Sequence, residues 1–376
     1  MDRIHVFLGT KAQYVKTAPL LRLLDERAVP YRLIDTGQHA RLSAGLRIEL
    51  GVRTPDYVLG GHSDVNSIPQ AAWWAASIAR RLVRPDALRR EIFGGAGGIC
   101  VVHGDTPSTV LATLLARRAG LRVAHLEAGL RSHNLLHPFP EEAIRLVVMR
   151  LADLLFAPDA TAAANLRSLR VGGRVVDVPG NTSIDALRAA LQPTAPVAPV
   201  APGPAVITMH RVENLHRRRR VEEWAVLVER VAAGRPARVV VHGPTKAVLE
   251  RGGLERRLLD AGVELVPLVP YGEFVAMLAA APFVITDGGS VQEECALLGV
   301  PTLLWRARTE RPDGLGANVV LSGYDQEVVE RFLADPERYR CPPVALGARP
   351  TEAILDVLLD ELATGTPPTG AGGSRP

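Results

Sequence analysis

Apolar residues along the chain fall into two alternating patterns. Short unbroken runs over 4–8, 31–34, 99–102, 123–126 and 154–157 read as buried strands. Between most of them apolar positions recur at helical spacing, as at Val15, Ala18, Leu21 and Leu24 after the turn Gly9-Thr10. Strand followed by helix, repeated, predicts a doubly wound parallel sheet. Around Pro193, Pro196 and Pro199 the proline density excludes a helix or a central strand, so a linker is expected over 186–204. The alternation then restarts, with strands expected over 205–208, 239–242, 263–267, 284–286 and 302–305. The expected class is α/β, with two Rossmann-like doubly wound domains over 1–185 and 205–350. A C-terminal helix over 351–363 is expected to pack back toward the first domain, followed by a disordered tail over 364–376 rich in Gly, Pro and Ser.

Three acids stand where such a fold presents chain to a ligand. Asp105, in His103-Gly104-Asp105-Thr106, follows the strand at 99–102, and Glu127, in His125-Leu126-Glu127-Ala128-Gly129, follows the strand at 123–126. Open α/β sheets bind ligands at these strand ends. Asp105 also suits the N-cap of the helix that Pro107 opens, and spacing alone leaves capping and catalysis both open. Glu127, flanked by Leu126 and Ala128, is expected to be partly buried and to need a partner, for which Arg131 and His125 are candidates. Glu141, after Phe139-Pro140, begins a helix whose dipole favours an acid, and alone it and Glu142 read as ordinary first-turn residues. Taken together, the three segments read as an active site.

The first turn, Gly9-Thr10-Lys11-Ala12-Gln13-Tyr14, lacks the glycine spacing of a dinucleotide fingerprint, which argues against a nicotinamide or flavin cofactor there. In the second domain Thr286-Asp287-Gly288-Gly289-Ser290 follows a strand and opens a helix, so Gly288, Gly289 and Ser290 let backbone N–H groups approach a diphosphate. Glu294, one turn further, reads either as an acceptor for ribose hydroxyls or as an early-helix acid, and Arg311 is a candidate countercharge. His210 and His242 each end a strand, so each reads as a turn residue or a site histidine.

Composition narrows the partners. The 376 residues, 47% of them hydrophobic, suffice for two domains of ordinary size. The net charge of +4 is small and interleaved with acids, so nucleic acid is not an expected partner, and the run Arg217-Arg218-Arg219-Arg220 reads as a solvated helix entrance. No apolar stretch approaches the ~20 residues of a membrane span, and no signal sequence is legible, so a cytoplasmic location without membrane association is expected. Cys100, Cys295 and Cys341 match neither a disulfide framework nor a metal-ligand pattern, and no metal is expected. Among 44 basic residues only Lys11, Lys16 and Lys246 are lysines. Two of them share the first loop region, where a compact ammonium suits phosphate or substrate contact.

Gly9-Thr10 with Lys16, His103-Gly104-Asp105-Thr106, His125 to Arg131, Pro140-Glu141-Glu142, Gly180-Asn181-Thr182, His210-Arg211, Gln292-Glu293-Glu294 and Glu310-Arg311-Pro312, in this order, resemble the non-hydrolysing UDP-N-acetylglucosamine 2-epimerases over most of the chain. The resemblance implies a glycosyltransferase-B type fold with its active site in the interdomain cleft, a UDP-sugar substrate, a homodimer, and no nicotinamide or metal. The implied reaction is anti elimination of UDP to 2-acetamidoglucal, then re-addition with the opposite configuration at C2. The matching positions imply that Asp105, Glu127 and Glu141 serve proton transfer and site organisation, and that His210, Arg145 and Lys16 assist near the diphosphate. Lys11, Gly288, Gly289, Ser290, Glu294, Arg311 and His242 complete the expected UDP contacts.

Three departures from that family's pattern stand out. Lys11, Ala12 and Gln13 occupy positions where the family usually carries arginine, proline and glutamate, which removes a bidentate fork and a carboxylate. Its Ser-Gly-Gly is permuted to Gly288-Gly289-Ser290, which displaces the hydroxyl contact on the diphosphate. Gln38-His39-Ala40-Arg41-Leu42 only partly matches the stretch that binds a second substrate molecule in bacterial members, so allosteric activation is not expected. The competing readings are a hydrolysing relative releasing free N-acetylmannosamine and UDP, a glycosyltransferase of the same architecture, and a non-catalytic nucleotide-sugar binding protein.

Overall fold

Seven short β-rich segments before residue 180 share one sheet. In the computed structural model, which describes residues 2–37, 40–59, 80–135, 140–191 and 203–365, the chain divides into two units, Met1–Ala186 with Ala348–Pro376 and Leu187–Gly347.

The first unit carries β1 (Arg3–Leu8), β2 (Tyr31–Asp35), β3 (Tyr57–Val58), β4 (Gly98–His103), β5 (Arg122–Leu126), β6 (Leu154–Ala157) and β7 (Arg174–Asp177). All pair in parallel, in the order β3-β2-β1-β4-β5-β6-β7. Helices cover such sheets on both faces, which is why β4 and β5 read as continuous apolar runs and are buried throughout. One core cluster packs Phe7, Ile34, Val102 and Leu155 with Leu115, Val148 and Leu166 from the covering helices. Each large apolar side chain fully withdrawn from water there contributes about 1.5–3 kcal/mol. The C-terminal helix Pro350–Thr364 belongs to this unit: Glu361 pairs with Arg122 at 2.8 Å and Arg174 at 2.7 Å, and Leu355 and Leu358 are buried.

The second unit carries β8 (Ala205–Thr208), β9 (Ala237–Val241), β10 (Glu264–Pro267), β11 (Val284–Thr286), β12 (Thr302–Leu304) and β13 (Val319–Leu321), again all parallel, in the order β10-β9-β8-β11-β12-β13. Its larger core cluster is built around fully buried Trp224 from the helix Arg218–Gly234, with Ile207, Ile285 and Phe332. In each unit the strand order reverses once, between β1 and β4 and between β8 and β11. The carboxyl ends flanking such a reversal form the ligand-binding crevice of doubly wound sheets.

Three strands escape the hydrophobic pattern. β3 is two residues long, β7 is only half-buried at its centre, and β13 lies at a sheet edge, so none carries the dense apolar run of a central strand. The expected linker over 186–204 begins too early, because the helix Ser183–Leu191 continues through it; residues 192–202 of that linker lie outside the described residues. Of the expected tail, Thr364 closes the last helix, Gly365 caps it with φ +62°, and 366–376 lie outside the described residues. Gln38 and His39 also lie outside them.

Candidate active site

In the first unit the site is built on the loops after β1, β4 and β5. The chain leaves β1 at Gly9, and Thr10 caps the helix Lys11–Glu26 in a reciprocal box with Gln13. Gln13 is buried and fully engaged. Its Oε1 accepts from the Gly9 N–H at 2.8 Å and the Thr10 N–H at 3.1 Å, and its Nε2 donates to the His103 carbonyl at 2.8 Å and to the Thr106 and Thr109 hydroxyls at 3.0 Å each. One amide thus ties the end of β1 to the end of β4, the two strands of the reversal. The glutamate usual at this position in the resembling family supplies no such donor when ionised. Lys11 opens the helix at its N-terminus, and Lys16, one turn later, is buried.

Lys16 and Asn181 both donate to Glu127 Oε1, at 2.7 Å and 2.5 Å, and His103 Nδ1 stands 3.8 Å from Glu127 Oε2. The partners expected for Glu127, Arg131 and His125, are both engaged elsewhere, Arg131 with Glu142 and His125 with the Gly104 carbonyl at 2.8 Å. The hydrogen bonds to Glu127 come instead from Lys16 and Asn181, and the left-handed backbone at Glu127, φ +62°, turns the chain out of β5 there. Burial pushes the His125 imidazole down to about 4, so it is a neutral Nε2–H donor to Gly104.

Asp105 does not cap the helix after β4. Thr106 does, pairing with Thr109, and Asp105 is left to meet Arg145, whose Nη2 donates to Asp105 Oδ2. Arg145 projects from the helix Glu141–Leu151, and its Nη1 lies 3.3 Å from Glu142 Oε2. Glu142 is completely buried, accepts from the Ser132 N–H at 3.0 Å and pairs with Arg131 Nε. Burial alone would raise its pKa, but the Ser132 N–H and the two guanidinium groups overcome that and hold the carboxyl below its ordinary range. Glu141 sits in the first helical turn as expected, half-buried.

In the second unit the site gathers at the ends of β8 and β11. Asp287, fully buried, accepts from the His210 N–H at 3.0 Å, the Arg211 N–H at 3.0 Å and Asn214 Nδ2 at 2.9 Å, fixing the turn after β8 against the loop after β11. Tyr324 hydroxyl donates to Asn214 Oδ1 at 2.8 Å behind it. His210 stacks on His242, which caps the helix Gly243–Arg251, with ring centroids 4.8 Å apart. Burial lowers the His210 pKa despite the nearby Asp287 carboxylate. Gly288 caps the helix Gly289–Leu298, and a Cβ there would lie 2.7 Å from His210 Cε1. Arg311 Nη1 pairs with Glu293 Oε2 at 3.0 Å, and Gln292 Nε2 donates to the Arg311 and Asp313 carbonyls at 3.1 and 3.0 Å. Glu294 is buried beside Tyr271, whose hydroxyl pKa is raised first by burial and then by that carboxylate.

Within the first unit the structure thus brings together Lys16 with Glu127 and Asp105 with Arg145. Within the second it joins His210 with His242 and sets Arg311 beside the Gly288-Gly289-Ser290 turn. Glu142, Asn181, Asn214 and Asp287 carry roles that sequence alone did not assign. For Asp287 a signal existed, since an acid ending a strand just before two glycines cannot be left unpaired in a buried sheet end.

A family model described as UDP-N-acetylglucosamine 2-epimerase matches residues 22–337. The UDP-N-acetylglucosamine 2-epimerase of Bacillus subtilis is 31% identical over 349 residues, covering 90% of this chain and 89% of that protein. The UDP-2,3-diacetamido-2,3-dideoxy-D-glucuronate 2-epimerase of Pseudomonas aeruginosa is 28% identical, covering 87% of this chain and 90% of that one. The crystal structure of the Methanocaldococcus jannaschii UDP-GlcNAc 2-epimerase in complex with UDP-GlcNAc and UDP superposes with a TM-score of 0.80 at 26% identity, over 95% of this chain and 99% of that one. The two parallel-sheet α/β domains are those of the glycosyltransferase-B type expected from the sequence.

Proposed function

Because the chain belongs to the UDP-N-acetylglucosamine 2-epimerase family, we propose that it inverts C2 of a UDP-2-acetamido sugar, interconverting UDP-N-acetylglucosamine and UDP-N-acetylmannosamine or a close analogue, without releasing free sugar. The observation that carries the proposal is the pair of acids Asp105 and Glu127 at the ends of adjacent strands β4 and β5, each held by a buried cation, Arg145 and Lys16.

The chemistry suits that arrangement. The C2–H bond is weakly acidic, so its proton leaves as the C1–O bond breaks and the electron pair departs with UDP, forming the C1=C2 bond of 2-acetamidoglucal. In the return step a proton reaches C2 from the opposite face while a diphosphate oxygen re-forms the bond to C1. Proton removal and departure of UDP need no hydride carrier, and the proposal, as expected from the sequence, includes neither a nicotinamide nor a metal. Asp105, Glu127 and Glu141 are the proton-handling set, with Arg145 and Lys16 orienting Asp105 and Glu127. The N–H groups opening the helix at Gly289, with Gly288, Ser290, Lys11, His210, His242 and Arg311, receive the departing diphosphate, and Glu294 the ribose.

Incubation with UDP-N-acetylglucosamine in deuterated water, followed by proton NMR, tests this. Deuterium at C2 with a UDP-N-acetylmannosamine product supports the reading, whereas free N-acetylmannosamine points to the hydrolysing relative and UDP release only with an acceptor points to a transferase. A diacetamido uronate donor belongs in the same panel, because the P. aeruginosa relative is named for one. A cytoplasmic homodimer is part of the proposal, and sedimentation velocity tests the dimer.

A further inference from the structure

Glu142 carries no role in the proton transfers just described, yet it is the most completely buried acid of the first unit's site. A carboxylate taken fully out of water is costly unless every lone pair is met by a donor. Here the donors come from two places. Arg131 Nε and the Ser132 N–H belong to the loop that begins at Glu127 and turns at Gly129, φ +93°, while Arg145 Nη1 belongs to Glu142's own helix and passes its second nitrogen to Asp105 at the end of β4.

We propose that Glu142 is the positioning residue of the epimerisation site, a buried anion that fixes the loop after Glu127 and the Arg145–Asp105 contact to the helix that presents Glu141. The proposal rests on the functional reading above and deepens it. The geometry is a charge chain, Arg131 to Glu142 to Arg145 to Asp105, in which the two anions and two cations alternate. Without the Glu142 charge, Arg145 has one anion rather than two to span and no longer holds Asp105 in a single place. The loop after Glu127 loses its anchor at Ser132, only five positions from the acid. Neighbouring Glu141 does not substitute, because successive helical residues point in different directions.

Glu142→Gln removes the charge and keeps the shape. In folded variant protein kcat is expected to fall about 10²-fold, the loss typical of a small misplacement of reacting groups, with KM changed by less than about threefold. Because the effect on Asp105 runs through Arg145, combining Glu142→Gln with Arg145→Lys is expected to cost less than the product of the two single losses, whereas independent roles would make the losses multiply. A kcat within about twofold of the parent, or multiplying losses, overturns the proposal. Should Glu142→Gln fail to fold, Arg131→Lys, which keeps the charge but not the fork, is expected to lower kcat about tenfold, and full activity overturns the proposal.

Amide hydrogen exchange separates this from failure of the functional reading. If the parent protein turns over no UDP-2-acetamido sugar, that reading falls, while exchange at Ser132 still decides the role of Glu142. It is expected to quicken about tenfold in Glu142→Gln, as a charge-assisted bond becomes an ordinary one, and unchanged protection overturns the proposal.

Discussion

Lys16 Nζ lies 2.7 Å from Glu127 Oε1, with both side chains almost wholly withdrawn from solvent. The lysine rises from the first helix and the acid ends β5, so the ion pair links two segments far apart in sequence. Breaking a buried pair from one side leaves an uncompensated charge. Lys16→Met is therefore expected to lower the unfolding free energy by about 3 kcal/mol, and adding Glu127→Gln to recover part of it. Urea denaturation measures the first, and a double variant no more stable than Lys16→Met would show that Glu127 is compensated without Lys16. Glu127→Gln by itself is expected to abolish turnover while UDP binding, measured by calorimetry, is retained.

Acid lability is a second consequence of burial. His5 and His125 both have pKa values pushed down to about 4 by burial, each donating from Nε2 to a backbone carbonyl, Gly97 and Gly104. The folded values lie below the ordinary 6.5, so between pH 6.5 and 4 the unfolded chain binds more protons and stability falls as pH falls. Each histidine contributes a slope of up to about 1.4 kcal/mol per pH unit in that window. Glu142, whose pKa is lowered, adds to the loss as pH falls below its ordinary 4.5. Urea midpoints measured across pH 7 to 4 should decline, and His125→Gln should flatten the decline; a slope unchanged by that replacement would remove His125 from the account.

Much of this is legible in the sequence alone. The apolar runs of β1, β4, β5, β8 and β11 mark the sheet centres, and the acids and glycines just beyond them mark the ligand end, because both signals are local. Partner choice is not local. Asp105 is placed beside Arg145 by the packing of the helix Glu141–Leu151, forty positions away, and nothing in the His103-Gly104-Asp105-Thr106 segment distinguishes that from capping, for which Thr106 is as good a candidate. Glu142 is indistinguishable from a first-turn acid for the same reason, since two of its three partners, Arg131 Nε and the Ser132 N–H, come from the folded loop.

Gln13 makes a sharper case, because the difference between amide and carboxylate is a single donor group. Its Nε2 faces the His103 carbonyl and two threonine hydroxyls. Gln13→Glu turns the contact with the carbonyl from attraction to repulsion. The substitution is expected to cost about 1–3 kcal/mol near neutral pH. The penalty should shrink as pH falls, since protonation restores a donor in the folded state and the folded protein then binds the extra proton more tightly than the unfolded chain. Thermal melts of the parent and variant at pH 7.5 and 5.5 check this, and a gap between them that widens on acidification would contradict it.

At the turn after β11, Gly288 stands where the resembling family carries serine. A Cβ at 288 would stand 2.7 Å from His210 Cε1. The backbone of His210 has little freedom to retreat, because Asp287 holds its N–H and that of Arg211, so the imidazole itself must swing away from its stack on His242. Gly288→Ser is thus expected to displace His210 while leaving the N–H groups of the helix at Gly289 in place. If His210 acts on the departing diphosphate, kcat falls at least about tenfold while the Kd for UDP stays within about threefold, because the helix end still binds it. Unchanged turnover would mean that His210 works from a position other than the one over Gly288. Loss of UDP binding would mean that the glycine serves the phosphate directly, through the close approach of its own backbone.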